Sequence, residues 1–378
     1  MIFNEWKNSD YSNYPVIIFG SGPAGISTAL ELEKHNISSI IIEAGKKYYN
    51  ETSQEFYKGS SAGDFISNIS ESRLRQFGGT SGIWGGWCKP LDKFAFNTWP
   101  INHKDLENYQ EKTCKILDIK NQFQQKIIND NFNQNEFQYS TVRFADKYEE
   151  HIKKSNKILL ILNTQLSHFI GSNNKIEKAE CISGHKKITF NSKIFILACG
   201  GIENSRILLW SQIKNKTLFD SKLPIGKYWM THSWILSGAG ILDESKLMKN
   251  MNENYLINDG VIHLSSSEKF VKENNILSCG LYMNKKEDKS ITKEIIKDLL
   301  CVAPEYGKKI AKALFNKSLK CGNIFMHVEN EANQNNMIVL DSNNIDKNNI
   351  PQANILYPER KKSIIAAKSF LEQLAIFF

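Results

Sequence analysis

The residues from Val16 to Glu43 constrain this chain more than any others. Val16–Phe19 (VIIF) is an all-apolar run of the kind that forms a strand buried on both faces. It leads directly into Gly20-Ser21-Gly22-Pro23-Ala24-Gly25, a G-x-G-x-x-G turn, and then into a helical pattern through Leu32. A second apolar strand, Ser39–Ile42, ends in Glu43. The spacing has a physical cause. The first glycine permits a tight turn, the second lets a pyrophosphate approach the backbone, and the third lets helix and strand pack closely. Amides and the dipole at the helix start then hold the phosphate charge. Glu43 lies 18 residues after Gly25, where a carboxylate accepts hydrogen bonds from ribose hydroxyls and repels a 2′-phosphate. The segment therefore reads as a βαβ unit for an adenine dinucleotide, FAD or NAD rather than NADP.

Length and composition leave room for more than this unit. At 378 residues, 41% hydrophobic, the chain can bury a core across two domains. Its net charge of +8 comes from lysines scattered among acids and asparagines. Without a compact basic stripe, nucleic-acid binding is not expected. Seven cysteines occur singly, with no C-x-x-C pair, as expected for free thiols in a reducing compartment. The start, MIFNEWKNSD, lacks a signal-peptide pattern, and no run of 18 or more apolar residues encodes a membrane span. A cytoplasmic location is expected.

The rest of the chain divides by pattern. Lys120–Phe137 is rich in Asn and Gln and reads as a loop or solvated excursion, separating two visits of the chain to one domain. Ile158–Ser211 alternates short apolar runs with turn residues, the rhythm of short strands feeding a buried strand and a helix. From about Lys227 longer mixed strands begin. Ile291–Lys320 carries apolar residues at near-helical spacing on a basic background. It reads as a helix with a solvated lysine face, the alternative being an amphipathic helix on a membrane or anionic glycan. The expected domains are 1–225, with a polar excursion at about 101–150, and 226–378.

A second glycine-rich stretch follows the fingerprint. Arg73–Asp92 reads RLRQFGGTSGIWGGWCKPLD, with Gly78-Gly79 and Gly85-Gly86 flanking Thr80, Ser81 and Trp84. Glycine pairs let a backbone pass close to a flat ligand, because no Cβ intervenes. On composition alone the stretch also fits a β-bulge or a tight structural loop.

These blocks together resemble the glucose–methanol–choline (GMC) family of flavin-dependent oxidoreductases. GSGPAG with Glu43-Ala44-Gly45 is shared by many flavoproteins. RLRQFGGTSGIWGGWCKPLD, followed by Trp99-Pro100-Ile101, is similar to the family's flavin-contacting loop, and ILACGGIENSRILLWS (Ile196–Ser211) to its returning strand, turn and helix. Weaker likenesses are Gly226–His232 and Val328–Asp341. The resemblance implies an α/β fold: a Rossmann-like FAD-binding domain with a parallel sheet, plus an α+β substrate domain with a mostly antiparallel sheet and helices. Its implied cofactor contacts are Gly20, Gly22, Pro23, Ala24 and Gly25 at the pyrophosphate and Glu43 at the ribose. Arg75, Gly78, Gly79, Thr80, Ser81, Trp84, Gly85 and Gly86 belong to the flavin loop. Leu166, Ala198, Gly200 and Gly201 would lie along the adenosine half. Ile83 stands where some relatives carry a histidine that links FAD covalently, so a non-covalent flavin is expected.

The resemblance implies hydride transfer from an alcohol or sugar CH–OH group to the flavin N5, with a histidine removing the hydroxyl proton. In the family that histidine comes from a C-terminal segment that has no recognisable equivalent in KKSIIAAKSFLEQLAIFF, so the chain is expected to be C-terminally incomplete. None of the eight histidines sits in a substitute motif, and no metal-ligand cluster is evident. The catalytic residues and the electron acceptor are not identified by the sequence. A non-catalytic flavin-binding remnant is the alternative, and an NAD-dependent dehydrogenase a further one.

Overall fold

In the computed structural model the apolar runs become the centre of a parallel sheet. The structure describes residues 1–63, 68–243, 262–285, 319–357 and 360–377, together with Ala303, Tyr306 and Lys309. Val16–Phe19 and Ser39–Ile42 are strands with every residue buried, joined by the helix Pro23–Lys34. The sheet order is Ile2–Phe3, Ile158–Ile161, Ser39–Ile42, Val16–Phe19, Ile194–Leu197, and every pairing is parallel. Burial on both faces explains why these strands are continuous apolar runs rather than alternating ones. One face packs on an antiparallel sheet of Thr164–Ser172, Lys175–Ser183 and Lys186–Asn191, so that Ile17, Phe19 and Ile40 share a core with Phe169, Ala179 and Phe190. The expected strand rhythm of 158–211 is present, ending in the helix Gly201–Lys214.

Two compact units emerge. The first comprises Met1–Gly86, Thr141–Trp229 and Ala332–Glu359; the second comprises Trp87–Ser140, Met230–Glu331 and Arg360–Phe378. The sequence pattern suggested one boundary at 225/226, whereas the chain enters the first unit three times. Backbone pairing accounts for the difference. Pro351–Tyr357 runs parallel to Gly59–Gly63 and antiparallel to Met337–Ile345, which fastens this late segment to the first unit.

The second unit is built on a six-stranded antiparallel sheet ordered Ser233–Asp243, Leu319–Val328, Cys279–Lys285, Ile262–Ser266, Phe132–Asn135, Gln125–Ile127. The Asn/Gln-rich stretch expected as a loop or solvated excursion supplies its last two strands. Asn133, Gln134 and Asn135 are buried there. Their burial is tolerable because the side chains find partners: Asn135 Nδ2 donates to Ser265 Oγ at 2.8 Å, and Gln125 Nε2 donates to Asn135 Oδ1 at 2.8 Å. The segment does separate two visits of the chain to the first unit, as expected. The Ile291–Lys320 helix expectation falls almost wholly outside the described residues.

Strand alternation gives this sheet two unlike faces. Leu264, Leu281, Met326 and Val328 pack with Phe132 against Ala366, Phe370 and Leu374 of the helix Lys361–Phe377. The other face carries rings: His263, Tyr282, Phe325 and His327. His263 is 7% exposed, stacked on Phe137 at 4.3 Å with Trp87 against its edge, and among the described residues its Nε2 has no hydrogen-bond partner. Burial pushes its pKa down to about 4, helped by the neighbouring His327.

The unfolded chain takes up a proton at His263 near the ordinary imidazole value of about 6.5, while the folded chain does so only near 4. The associated stability is therefore full above pH 6.5 and is lost as pH falls toward 4. We expect it to fall by about 2 kcal/mol between pH 7 and pH 5. Urea unfolding at the two pH values, compared with His263→Phe, checks this; an unchanged pH dependence in the variant would refute it.

Candidate functional site

The fingerprint turn and the helix Pro23–Lys34 define one end of a cavity of about 450 Å³ within the first unit. Each glycine there has a measurable reason. A Cβ on Gly20 would lie 2.5 Å from the Ala198 carbonyl oxygen, and one on Gly25 would lie 1.9 Å from the Gly20 carbonyl oxygen. Those two allow the turn and the helix to sit against the sheet. Gly22 differs, because a Cβ there would meet nothing within 4 Å. Its bare backbone faces open space, the arrangement a phosphate-approached glycine requires. Gly201, opening the helix Gly201–Lys214, is also open. The N-termini of both helices border the cavity.

Glu43 ends its strand on the cavity wall, 5% exposed. One carboxylate oxygen accepts hydrogen bonds from the Ser21 amide at 3.0 Å and hydroxyl at 2.7 Å; the other accepts from the Gly45 amide at 2.7 Å. These bonds fix its orientation and leave acceptor capacity for a ligand's hydroxyls, since a carboxylate offers about four lone-pair sites. Arg75 is held by Ser53 Oγ at 2.6 Å and Gln165 Oε1 at 2.9 Å, with its guanidinium over the Phe56 ring.

A buried charge chain braces the opposite wall. Arg73 pairs with Glu203 at 3.0 Å, Glu203 with Arg206 at 2.8 Å, and Arg206 with Asp346 at 2.6 Å. Arg206 also donates through Nε to the Pro351 carbonyl at 2.7 Å. Burial opposes the ionised form of Glu203, but the guanidiniums of Arg206 and Arg73 overcome it and hold the carboxyl below the usual carboxylate range. Cys199, on the same wall, has its thiol pushed up by burial and directed at the Phe19 carbonyl 3.2 Å away. It is a protonated thiol at neutral pH.

Of the residues singled out from sequence, Gly20, Gly22, Pro23, Ala24, Glu43, Arg75, Gly79, Thr80, Leu166, Ala198, Gly200 and Gly201 all line this cavity. Gly79 approaches the fingerprint itself; a Cβ there would lie 3.0 Å from Gly22 Cα. Gly25, Gly78, Ser81, Trp84, Gly85 and Gly86 are not in the lining. Ser81 is buried, donating to the Gly78 carbonyl at 2.7 Å and accepting from the Phe144 amide at 3.0 Å. Trp84 donates to the Val142 carbonyl at 3.0 Å and packs edge-on against Phe144. Sequence reasoning missed Tyr57, Arg73, Gln165, Cys199 and Glu203. The one available signal was Glu203 with Arg206, an acid and a base three apart in the helix Gly201–Lys214.

No family model and no curated protein matches this sequence. Among solved structures the chain is similar to pyridoxine 4-oxidase from Mesorbium loti, with a TM-score of 0.57 and 9% identity, covering 95% of this chain and 80% of that one. The two share a fold. At that identity the likeness concerns architecture: a parallel sheet together with a mostly antiparallel sheet, the class expected from the sequence. Among the described residues no helix is long and apolar enough to cross a membrane, and no cluster of His, Cys, Asp and Glu could hold a metal.

The close approach at Gly25 yields a direct check. Gly25→Ala should lower the stability of the first unit by about 3 kcal/mol or more, the upper end of overpacking costs. Chemical denaturation of the nucleotide-free protein measures it, and a loss below 1 kcal/mol would contradict the packing described.

Proposed function

We propose that the first unit binds FAD non-covalently and that the protein is a flavin-dependent oxidoreductase of the glucose–methanol–choline type, oxidising a CH–OH group of an alcohol or sugar. The observation that carries this reading is that residues from two glycine-bearing stretches far apart in sequence, Gly20–Ala24 and Gly79–Thr80, border one cavity. An NAD site needs only the first. The Ile83 side chain at the position of the family's covalent histidine, and the protonated Cys199 thiol, both suit a flavin held without a covalent bond.

The residues divide the work by chemistry. Amides at the start of Pro23–Lys34 would hold pyrophosphate charge; Pro23 in the first turn lacks a donor that the helix could not have used internally. Glu43, fixed by Ser21 and Gly45, would accept the adenosine ribose hydroxyls and disfavour a 2′-phosphate. Leu166, in a strand paired with Cys181, would lie beside the adenine. The Arg73–Glu203–Arg206–Asp346 chain keeps the far wall in place. Bound in this cavity, the cofactor supplies a two-electron acceptor for hydride from a carbinol carbon. Pyridoxine, named by the structural relative, belongs among the alcohols to try. The free thiols Cys88, Cys114, Cys181, Cys199 and Cys279 suit a reducing, cytoplasmic setting.

The purified protein should carry flavin absorbance or acquire it stoichiometrically from FAD, and should ignore NADP. Anaerobic addition of a panel of alcohols and sugars, pyridoxine included, should bleach it. Failure to bind FAD rejects the cofactor. Binding without bleaching by any CH–OH donor rejects the oxidoreductase in favour of a flavin-binding protein.

A further inference from the structure

The second unit contains a cavity of its own. It measures about 480 Å³ and is a half-open concavity lined by Trp87–Leu91, by Phe96 of the turn Lys93–Thr98, by the helices His103–Glu107 and Gln110–Leu117, and by the chain on to Phe123. That volume falls in the range of about 300–1,000 Å³ that holds a single small molecule. Its wall is largely apolar: Trp87, Phe96, Leu106, Tyr109, Leu117 and Phe123 contribute, with the buried Cys114 also in the lining. Leu106, on the helix His103–Glu107, is 42% exposed, and Tyr109, in the turn before Gln110–Leu117, is 56% exposed. Apolar side chains concentrated on a concave surface are the ordinary mark of a ligand site.

Charge at one side narrows the ligand class. His103 and Glu107 line this cavity and also an adjoining depression that contains Lys93, Asn102 and Lys104. Among the described residues neither Lys93 nor Lys104 has an ion-pair partner, in contrast to Lys89, which is held by Asp92 at 2.6 Å. Asp105, whose carboxylate accepts from the Asn102 amide at 2.8 Å in the helix cap, is not in the lining of that depression. In the lining of that depression two lysines stand against one acid, Glu107.

We propose that this cavity binds an anionic amphiphile, a medium-chain carboxylate, with its hydrocarbon tail against Phe96, Leu106 and Phe123 and its head group near Lys93 and Lys104. Burial of the tail supplies the attraction, and the two ammonium groups select a charged head over a neutral one. The site is separate from the dinucleotide cavity and does not depend on what that cavity binds.

Calorimetric titration of the full chain with hexanoate, octanoate, decanoate and 1-octanol tests this. One site per chain is expected, tightening about fourfold per methylene, with 1-octanol about fivefold weaker than octanoate, the value of an exposed charge pair. Lys93→Gln with Lys104→Gln should erase the difference between octanoate and octanol. Leu106→Trp, which fills the mouth from an exposed position, should abolish binding while leaving the unfolding transition in place. Three results would overturn the proposal: no saturable binding of decanoate, octanol binding as tightly as octanoate, or an unaltered titration in Leu106→Trp. A dimer in sedimentation that Leu106→Trp dissolves would assign the cavity to a second copy instead.

Discussion

The first unit depends on how closely its first helix approaches the turn that precedes it. At Gly25 there is no space for a methyl group, since one would sit 1.9 Å from the Gly20 carbonyl oxygen. This contact brings the N-terminus of Pro23–Lys34 down onto the end of Val16–Phe19, next to the end of Ser39–Ile42, where Glu43 emerges. Helix amides, carboxylate and bare backbone at Gly22 then border one concave surface. The site follows from a packing constraint. On the proposed reading, phosphate affinity would be a by-product of where the helix is forced to start.

The wall opposite is made differently, by charge. Arg206 is 2% exposed, yet it meets Glu203, Asp346 and the Pro351 carbonyl. Such a cluster gives little net stability over an apolar equivalent, but losing one member leaves an uncompensated buried charge costing about 3–5 kcal/mol. Its consequence is positional. It ties the helix Gly201–Lys214 to the segment around Pro351, which is itself paired to Gly59–Gly63, so three distant parts of the chain are held together behind this wall.

The legible parts of the sequence were those whose demands are local. Val16–Phe19, the glycine turn and Ser39–Ile42 could be read because strand burial, turn conformation and helix packing each require a residue type at a short, fixed spacing. Phe132–Asn135 could not, because its buried Asn and Gln are satisfied by partners such as Ser265, more than a hundred residues away. The return of 332–359 to the first unit was hidden for the same reason, since the register of Ala353 against Gly59 is a non-local fact. Ser81 and Trp84 were sought in the right neighbourhood, but their polar atoms are committed to the Gly78 and Val142 carbonyls. Arg73 and Glu203 went unnoticed, although they lie in the two blocks read from sequence, because their role depends on each other across 130 residues; they become a wall only once paired.

Gly22 separates a backbone kept bare for packing from one kept bare for a ligand. Its Cβ position is empty and its φ of −75° suits any residue, so alanine there costs the fold nothing. The decisive measurement is the FAD dissociation constant of Gly22→Ala beside its thermal midpoint. The account predicts an unchanged midpoint and affinity weakened about tenfold or more, roughly 1.4 kcal/mol. Equal affinity in the two proteins would show that no dinucleotide lies against this turn.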